Sequence, residues 1–182
     1  MALKIESGKF KNITIETVDD RRTRYTPATL RRALMSIFDF SGVNFLEFFA
    51  GSGIMSFETL SNGAKSSTMI DISSKAVHSI LKNAKSLGVL DNIKVIKSDF
   101  RKSITKLSGE QFDYIFADPP FNNRYVQGFL KFIDSNKSLI RRGGYIIIEK
   151  HKSEKFDYIP KNIIREEVRD YGDIEILIFI KP

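Results

Sequence analysis

Glu47-Phe48-Phe49-Ala50-Gly51-Ser52-Gly53 sets an acidic residue inside an apolar strand and follows it with a small-residue turn that opens a helix. A bend this tight needs Gly51 and Gly53, because without Cβ atoms the main-chain N–H groups can face a ligand. Outward from it, short apolar or β-branched runs alternate with segments of helical period, the pattern of a mostly parallel sheet covered on both faces. The spacing predicts seven strands, at 44–49, 67–70, 93–97, 112–117, 145–149, 163–168 and 174–180, with helices near 54–60, 75–87 and 126–136. The last two strands are joined only through 170–173, too short for a parallel crossover, so that pair is expected to be antiparallel.

Three carboxylates fall where such a sheet binds ligands. Asp71 ends the strand after the glycine turn, where it can accept both hydroxyls of a ribose. Glycine turn and acid together fit either an adenosylmethionine or a nicotinamide cofactor. Ser56 stands where the dinucleotide pattern has its third glycine, which counts against nicotinamide. Asp99, in Ser98-Asp99-Phe100, can accept a bond from an adenine amino group while Phe100 covers the ring; the alternative is that Ser-Asp caps the following segment. Asp118-Pro119-Pro120-Phe121 carries the chemistry. Two prolines fix the main chain and leave the Pro119 carbonyl without local competition, so a carboxylate and a carbonyl can aim at one NH₂ group. Phe121 then offers a ring face for a base.

The rest of the composition narrows the classes. At 182 residues, 42% apolar and 28% charged, the chain makes one globular domain. No run spans a bilayer and residues 1–6 lack a leader pattern, so a soluble cytoplasmic protein is expected. With no cysteine, and with His78 and His151 far apart, no thiolate chemistry or metal site is expected. A net charge of +7 favours a polyanionic partner. Strand-like pieces at 3–5 and 13–15 flank Ser7-Gly8-Lys9-Phe10-Lys11-Asn12, which predicts a small basic hairpin extension over 1–22 ahead of the main domain at 23–182. Next, Thr26 is expected to cap a helix that starts at Pro27, with Leu30, Ala33, Leu34, Ile37 and Phe38 on one face. Arg31 and Arg32 then point elsewhere, to solvent or a ligand. Lys9, Lys11, Arg24, Thr26, Arg31 and Arg124 are nominated for RNA contact, on the expectation that hairpin, first helix and the segment after Phe121 rim one mouth; a solvated charged face is the alternative. His78 and His151 are expected to be ordinary helix and loop residues, and 141–144 a turn.

Gly8-Lys9-Phe10-Lys11-Asn12, Arg24-Tyr25-Thr26, Leu46-Glu47-Phe48-Phe49-Ala50-Gly51-Ser52-Gly53 and Asp118-Pro119-Pro120-Phe121 together resemble the bacterial RsmD-type family. Its members methylate the N2 amine of a guanine in small-subunit ribosomal RNA. The resemblance implies an α/β fold, the Rossmann-like class I S-adenosylmethionine-dependent methyltransferase sheet of seven mostly parallel strands with an antiparallel last strand, plus a small N-terminal β-hairpin. It implies S-adenosylmethionine as cofactor, with Glu47, Gly51, Gly53, Asp71 and Asp99 as contacts and Phe49, Ala50, Ile72 and Phe100 beside them. Asp118, Pro119, Pro120 and Phe121 become the amine-binding tetrapeptide. The partner is ribosomal RNA, within the small subunit or an assembly intermediate, and the chain a monomer. The chain departs from the family pattern with Tyr25 where it has proline, with Glu47 where it has aspartate, and at Ala28, Thr29 and Arg32, where it lacks the acidic and basic residues often found there. The rival readings are methyl transfer to another NH₂ group (adenine or cytosine in DNA or RNA, or a protein glutamine), a nicotinamide oxidoreductase, and a non-catalytic RNA-binding assembly factor.

Overall fold

The computed structural model describes residues 3–18, 25–121 and 124–182. Two short strands, β1 (Leu3–Lys4) and β2 (Thr14–Ile15), pair antiparallel and are followed by α1 (Ala28–Ile37). The main sheet is built from β3 (Asn44–Phe48), β4 (Ser66–Asp71), β5 (Ile93–Lys97), β6 (Phe112–Ala117), β7 (Ile140–His151), β8 (Ile164–Tyr171) and β9 (Ile174–Ile180), in the order β5-β4-β3-β6-β7-β9-β8. Between them run α2 (Ile54–Ser61), α3 (Ser74–Leu87) and α4 (Tyr125–Ser135), with a 3₁₀ stretch at Phe100–Leu107. Seven strands were expected and seven form.

The helices follow from local chemistry. In α3, the Ser73 side chain accepts from the Ala76 N–H at the start, and Gly88 at φ 68° ends the helix in the left-handed conformation that glycine adopts without steric cost. Ala76, Ile80, Ala84 and Leu87 line its buried face. In α4, Val126, Phe129, Leu130 and Ile133 repeat at i, i+3, i+4 and i+7 and are all buried, each worth about 1.5–3 kcal/mol for its side chain. That helix and the 3₁₀ stretch cover one face of the sheet. Helices α1, α2 and α3, with the N-terminal hairpin, cover the other.

Strands β3 to β7 pair in parallel, as crossovers through helices require. β9 runs opposite to both of its neighbours, and with β8 it must, because only Gly172 and Asp173 separate the two. The segment Arg141-Arg142-Gly143-Gly144, expected as a turn, instead lies within β7 as a bulge. Gly144 permits this: a Cβ there would lie 2.8 Å from the Asp113 carbonyl oxygen. The edge strand β8 is exposed along most of its length and carries charges of both signs, which discourage pairing with another chain.

The first helix differs from expectation. It begins at Ala28, with Pro27 as cap residue and no side-chain cap bond, so Thr26 does not cap it. Its buried residues are Leu30, Arg31 and Leu34, while Ile37 reaches the surface. The stripe is rotated toward Arg31 because the hairpin and α2 pack on that side as well.

Candidate active site

In the strand order, the winding switches between β3 and β6, with β4 and β5 added on one side of β3 and β6 and β7 on the other, and a doubly wound sheet opens a crevice at the carboxyl ends of the strands at such a point. The glycine turn follows β3 and the Asp118 tetrapeptide follows β6. Pairing of Phe48 with Ala117, one strand spacing of about 4.8 Å apart, makes Phe49 and Asp118 the first residues beyond two adjacent strand ends. Two motifs remote in sequence therefore open into one crevice.

Phe49 leaves β3 at φ 58°, in the left-handed region that a bulky side chain rarely occupies, followed by Gly51 at 53° and Gly53 at 77°. The twist sets the Phe49 ring 5.2 Å from Phe100, 6.0 Å from Tyr125 and 6.1 Å from Phe129. Gly53 is obligatory on two grounds, its φ and its packing: a Cβ would meet Met69 Sδ at 2.9 Å and Phe57 at 3.0 Å. Ala50 commits both main-chain groups to the bend, its N–H to Ile70 and its carbonyl to Gly53. Ala50 thereby shapes the turn.

Glu47 is only 3% exposed. Its carboxylate accepts from the Ser56 N–H at 2.9 Å and from the Ser56 hydroxyl, which in turn accepts from Ser67 Oγ at 2.7 Å. Helix α2 has no side chain of its own capping its first turn, so Glu47 does this from the neighbouring strand. Burial pushes its pKa up to about 8, against the lowering effect of the Ser56 bonds. Glu47 therefore supports the glycine turn from behind. Ser56, noted in the sequence as a missing glycine, is its partner.

Asp71 ends β4 and is half-buried. Its two oxygens accept from Gly51 N–H and Ser73 N–H, each at 2.8 Å, which aims the carboxylate across the glycine turn. Next to it Ile72 is 67% exposed, an apolar surface beside a carboxylate and a glycine turn. An acid for ribose hydroxyls, a turn in which a Cβ has no room and an apolar cover fit an adenosyl group. Asp99 takes the capping role: it accepts from Arg101 N–H at 2.9 Å and pairs with the Arg101 guanidinium at 3.3 Å. Phe100 is buried at 3% exposure, so it cannot cover a ligand ring as expected; it backs Phe49, and Arg101 lies over it at 4.5 Å.

After β6, Asp118 is half-buried, Pro119 buried, Pro120 exposed and Phe121 half-buried. The Phe121 ring packs against His151 at the end of β7, with centroids 5.5 Å apart. His151, expected to be an ordinary loop residue, thus belongs to the site. Periodicity carried no signal for it; only the pairing of β6 with β7 brings it there. Arg124 is exposed at the start of α4, at φ 56°.

The basic residues do not share one mouth. Lys9 N–H bonds the Ser61 carbonyl at 2.8 Å and Phe10 N–H bonds Ser61 Oγ at 2.8 Å, while a Cβ on Gly8 would overlap the same carbonyl. Ser61 closes α2, eight residues or about 12 Å from the glycine turn. Exposed Lys9 and Lys11 therefore sit at the far end of α2 from the crevice. The other leg of the hairpin approaches it: Asn83 Nδ2 bonds both Glu16 O at 3.0 Å and Ser52 O at 3.3 Å. Arg31 is 2% exposed and donates to Glu58, the Thr26 carbonyl, the Lys4 carbonyl and Glu6. It ties hairpin, α1 and α2 together and faces neither solvent nor a ligand. Thr26, 3% exposed, is equally closed to RNA. Arg24 lies outside the described residues.

Comparison with known proteins agrees with this geometry. A family profile described as "Conserved hypothetical protein 95" matches residues 3–180. The "Ribosomal RNA small subunit methyltransferase D" of Buchnera aphidicola subsp. Baizongia pistaciae is 28% identical over 182 residues, covering 98% of this chain and 92% of that one. Among solved structures, the "Putative methyltransferase yhhF" of Escherichia coli superposes with a TM-score of 0.84 at 20% identity over 100% of this chain and 98% of that one. "SMU.776, a putative methyltransferase complexed with SAH" does so with a TM-score of 0.72 at 13% identity, over 94% of this chain and 52% of that one. These likenesses establish the class I methyltransferase fold. With matched residues running through both the glycine turn and the Asp118 tetrapeptide, the chain belongs to the RsmD-type family described as conserved hypothetical protein 95.

Proposed function

We propose that this chain transfers a methyl group from S-adenosylmethionine to the exocyclic N2 amine of a guanine in small-subunit ribosomal RNA. The observation that carries the reading is the register of β3 with β6, which sets Asp118-Pro119-Pro120-Phe121 directly beside the Phe49–Gly53 turn. The relatives named as ribosomal RNA small subunit methyltransferases support the RNA class.

Asp71 would receive the ribose hydroxyls, Ile72 would cover the nucleoside, and Gly51 and Gly53 would let the amino-acid end pass close to the main chain. When bound, the cofactor supplies an electrophilic methyl group on a positively charged sulfur. The rest is done by this chain. The Asp118 carboxylate and the Pro119 carbonyl accept the two N–H bonds of the amine, which orients its lone pair. Positive charge that develops on the amine faces the Asp118 carboxylate, which stabilises it and takes its proton. Phe121 stacks on the flipped base. With no cysteine in the chain, attack is direct. Arg124 would meet RNA at the mouth, and Lys9 and Lys11 a more distant stretch of the same polyanion, so binding weakens as salt rises.

A tritiated-methyl assay tests this across ribosomal RNA, DNA and protein fractions of cells lacking the protein. Label is expected in small-subunit RNA with the wild type and not with Asp118→Ala. Label in DNA or protein would replace the RNA reading with one of its rivals.

A further inference from the structure

The acceptor reading leaves unused the histidine that stands against Phe121. His151 ends β7, and two groups of Ser153 converge on its Nδ1: the hydroxyl at 2.6 Å and the backbone N–H at 3.2 Å. A backbone N–H can only donate, so Nδ1 is the acceptor and these partners assign the ring proton to Nε2, on the far edge of the ring. The turn that carries the ring is fixed. Lys150 is buried beneath it and donates to the carbonyls of His151 at 3.1 Å, Lys152 at 3.5 Å and Glu154 at 3.0 Å, while pairing with Glu175 at 2.7 Å. Lys152 N–H bonds the Asp173 carbonyl and Glu154 N–H the His151 carbonyl. An imidazole with its tautomer set by the backbone, on a turn bound from below by a buried ammonium group, is preorganised as a neutral hydrogen-bond donor.

We propose that His151 is a substrate-contacting residue of the acceptor pocket. Its Nε2–H donates to a hydrogen-bond acceptor on the edge of the base that Asp118 and Phe121 hold. This rests on the amine-methylation reading above. A carboxylate and a carbonyl recognise any NH₂ group; a donor fixed beside the stacking ring adds the requirement that the base also present an acceptor. Guanine, with the N3 acceptor beside its amine, meets it.

Three variants of the full chain test the assignment, with small-subunit RNA from cells lacking the protein as methyl acceptor. His151→Phe keeps an aromatic ring for Phe121 and removes the donor, His151→Gln restores an N–H at similar reach, and Asp118→Ala is the control. The expected result is a fall in kcat/KM for RNA on the order of 10- to 100-fold in His151→Phe, recovery to within about threefold in His151→Gln, and adenosylhomocysteine affinity unchanged in both. His151→Phe within twofold of wild type overturns the proposal, as does an equal loss in Phe and Gln variants, which would mark a packing role. If wild type transfers and Asp118→Ala does not, such a result removes only His151's role. If wild type itself transfers no label to RNA while binding adenosylhomocysteine, the underlying reading falls and this inference with it.

Discussion

The two walls of the crevice are built differently. On the cofactor side, β3, α2 and β4 are consecutive in the chain, and bonds within that stretch join Gly51 to Asp71 and Ser56 to Glu47. On the acceptor side, the wall joins residues 118–121 to His151, and the turn under His151 depends on Glu175 from β9 and on Asp173 from the turn that precedes it. The first wall is a local supersecondary unit; the second exists only once β7 and β9 have paired. Changes on the first side should therefore act on cofactor affinity and local stability, and changes on the second on turnover and RNA specificity.

Four substitutions sharpen or break that contrast. Arg31→Met removes the buried cation that ties hairpin, α1 and α2 behind the cofactor wall and leaves Glu58 buried without it, so chemical denaturation should show a loss of about 3–5 kcal/mol. Asp118→Ala should cut turnover by about 10²–10³ with adenosylhomocysteine affinity retained, read by single-turnover transfer and calorimetry. Asp71→Ala should do the opposite, weakening cofactor binding on the order of 10- to 100-fold while turnover at saturation survives. If both carboxylate variants lose affinity and turnover together, the two walls are not separable. The fourth test concerns pH. Because burial raises Glu47 to about 8, the folded chain binds a proton there that the unfolded chain releases above about pH 4.5. Stability from this group is complete below the unfolded value and lost as pH rises toward 8. Glu47→Gln lacks that term, so its melting temperature relative to wild type should rise steadily between pH 5 and 8. A difference that stays flat would mean Glu47 is ionised when folded.

What the sequence revealed follows the same division. The glycine turn, Asp71 and the strands around them were legible because their chemistry lies within one β-α-β stretch, where spacing carries geometry. The tetrapeptide was legible because two prolines between an acid and an aromatic state their own backbone. Arg31 was misread because helical periodicity reports one packing face, whereas α1 meets the sheet with Leu30 and Leu34 and the hairpin with Arg31. Lys9 and Lys11 were placed at the mouth because local charge does not say which end of α2 the turn grips; Ser61 decides it. Phe100 looked like a ligand cover by position, but its burial depends on α4, some twenty-five residues later. His151 had no local signature at all.

The central claim is that the turn after β6 presents a base amine to a methyl donor held by the turn after β3. Mass spectrometry of nucleosides tests it most directly, using small-subunit RNA from cells lacking the protein after incubation with purified chain and isotopically labelled S-adenosylmethionine. The account predicts labelled N2-methylguanosine with wild type and its absence with Asp118→Ala. Label on adenine or cytosine, or N2-methylguanosine formed equally by the Asp118→Ala chain, would contradict it.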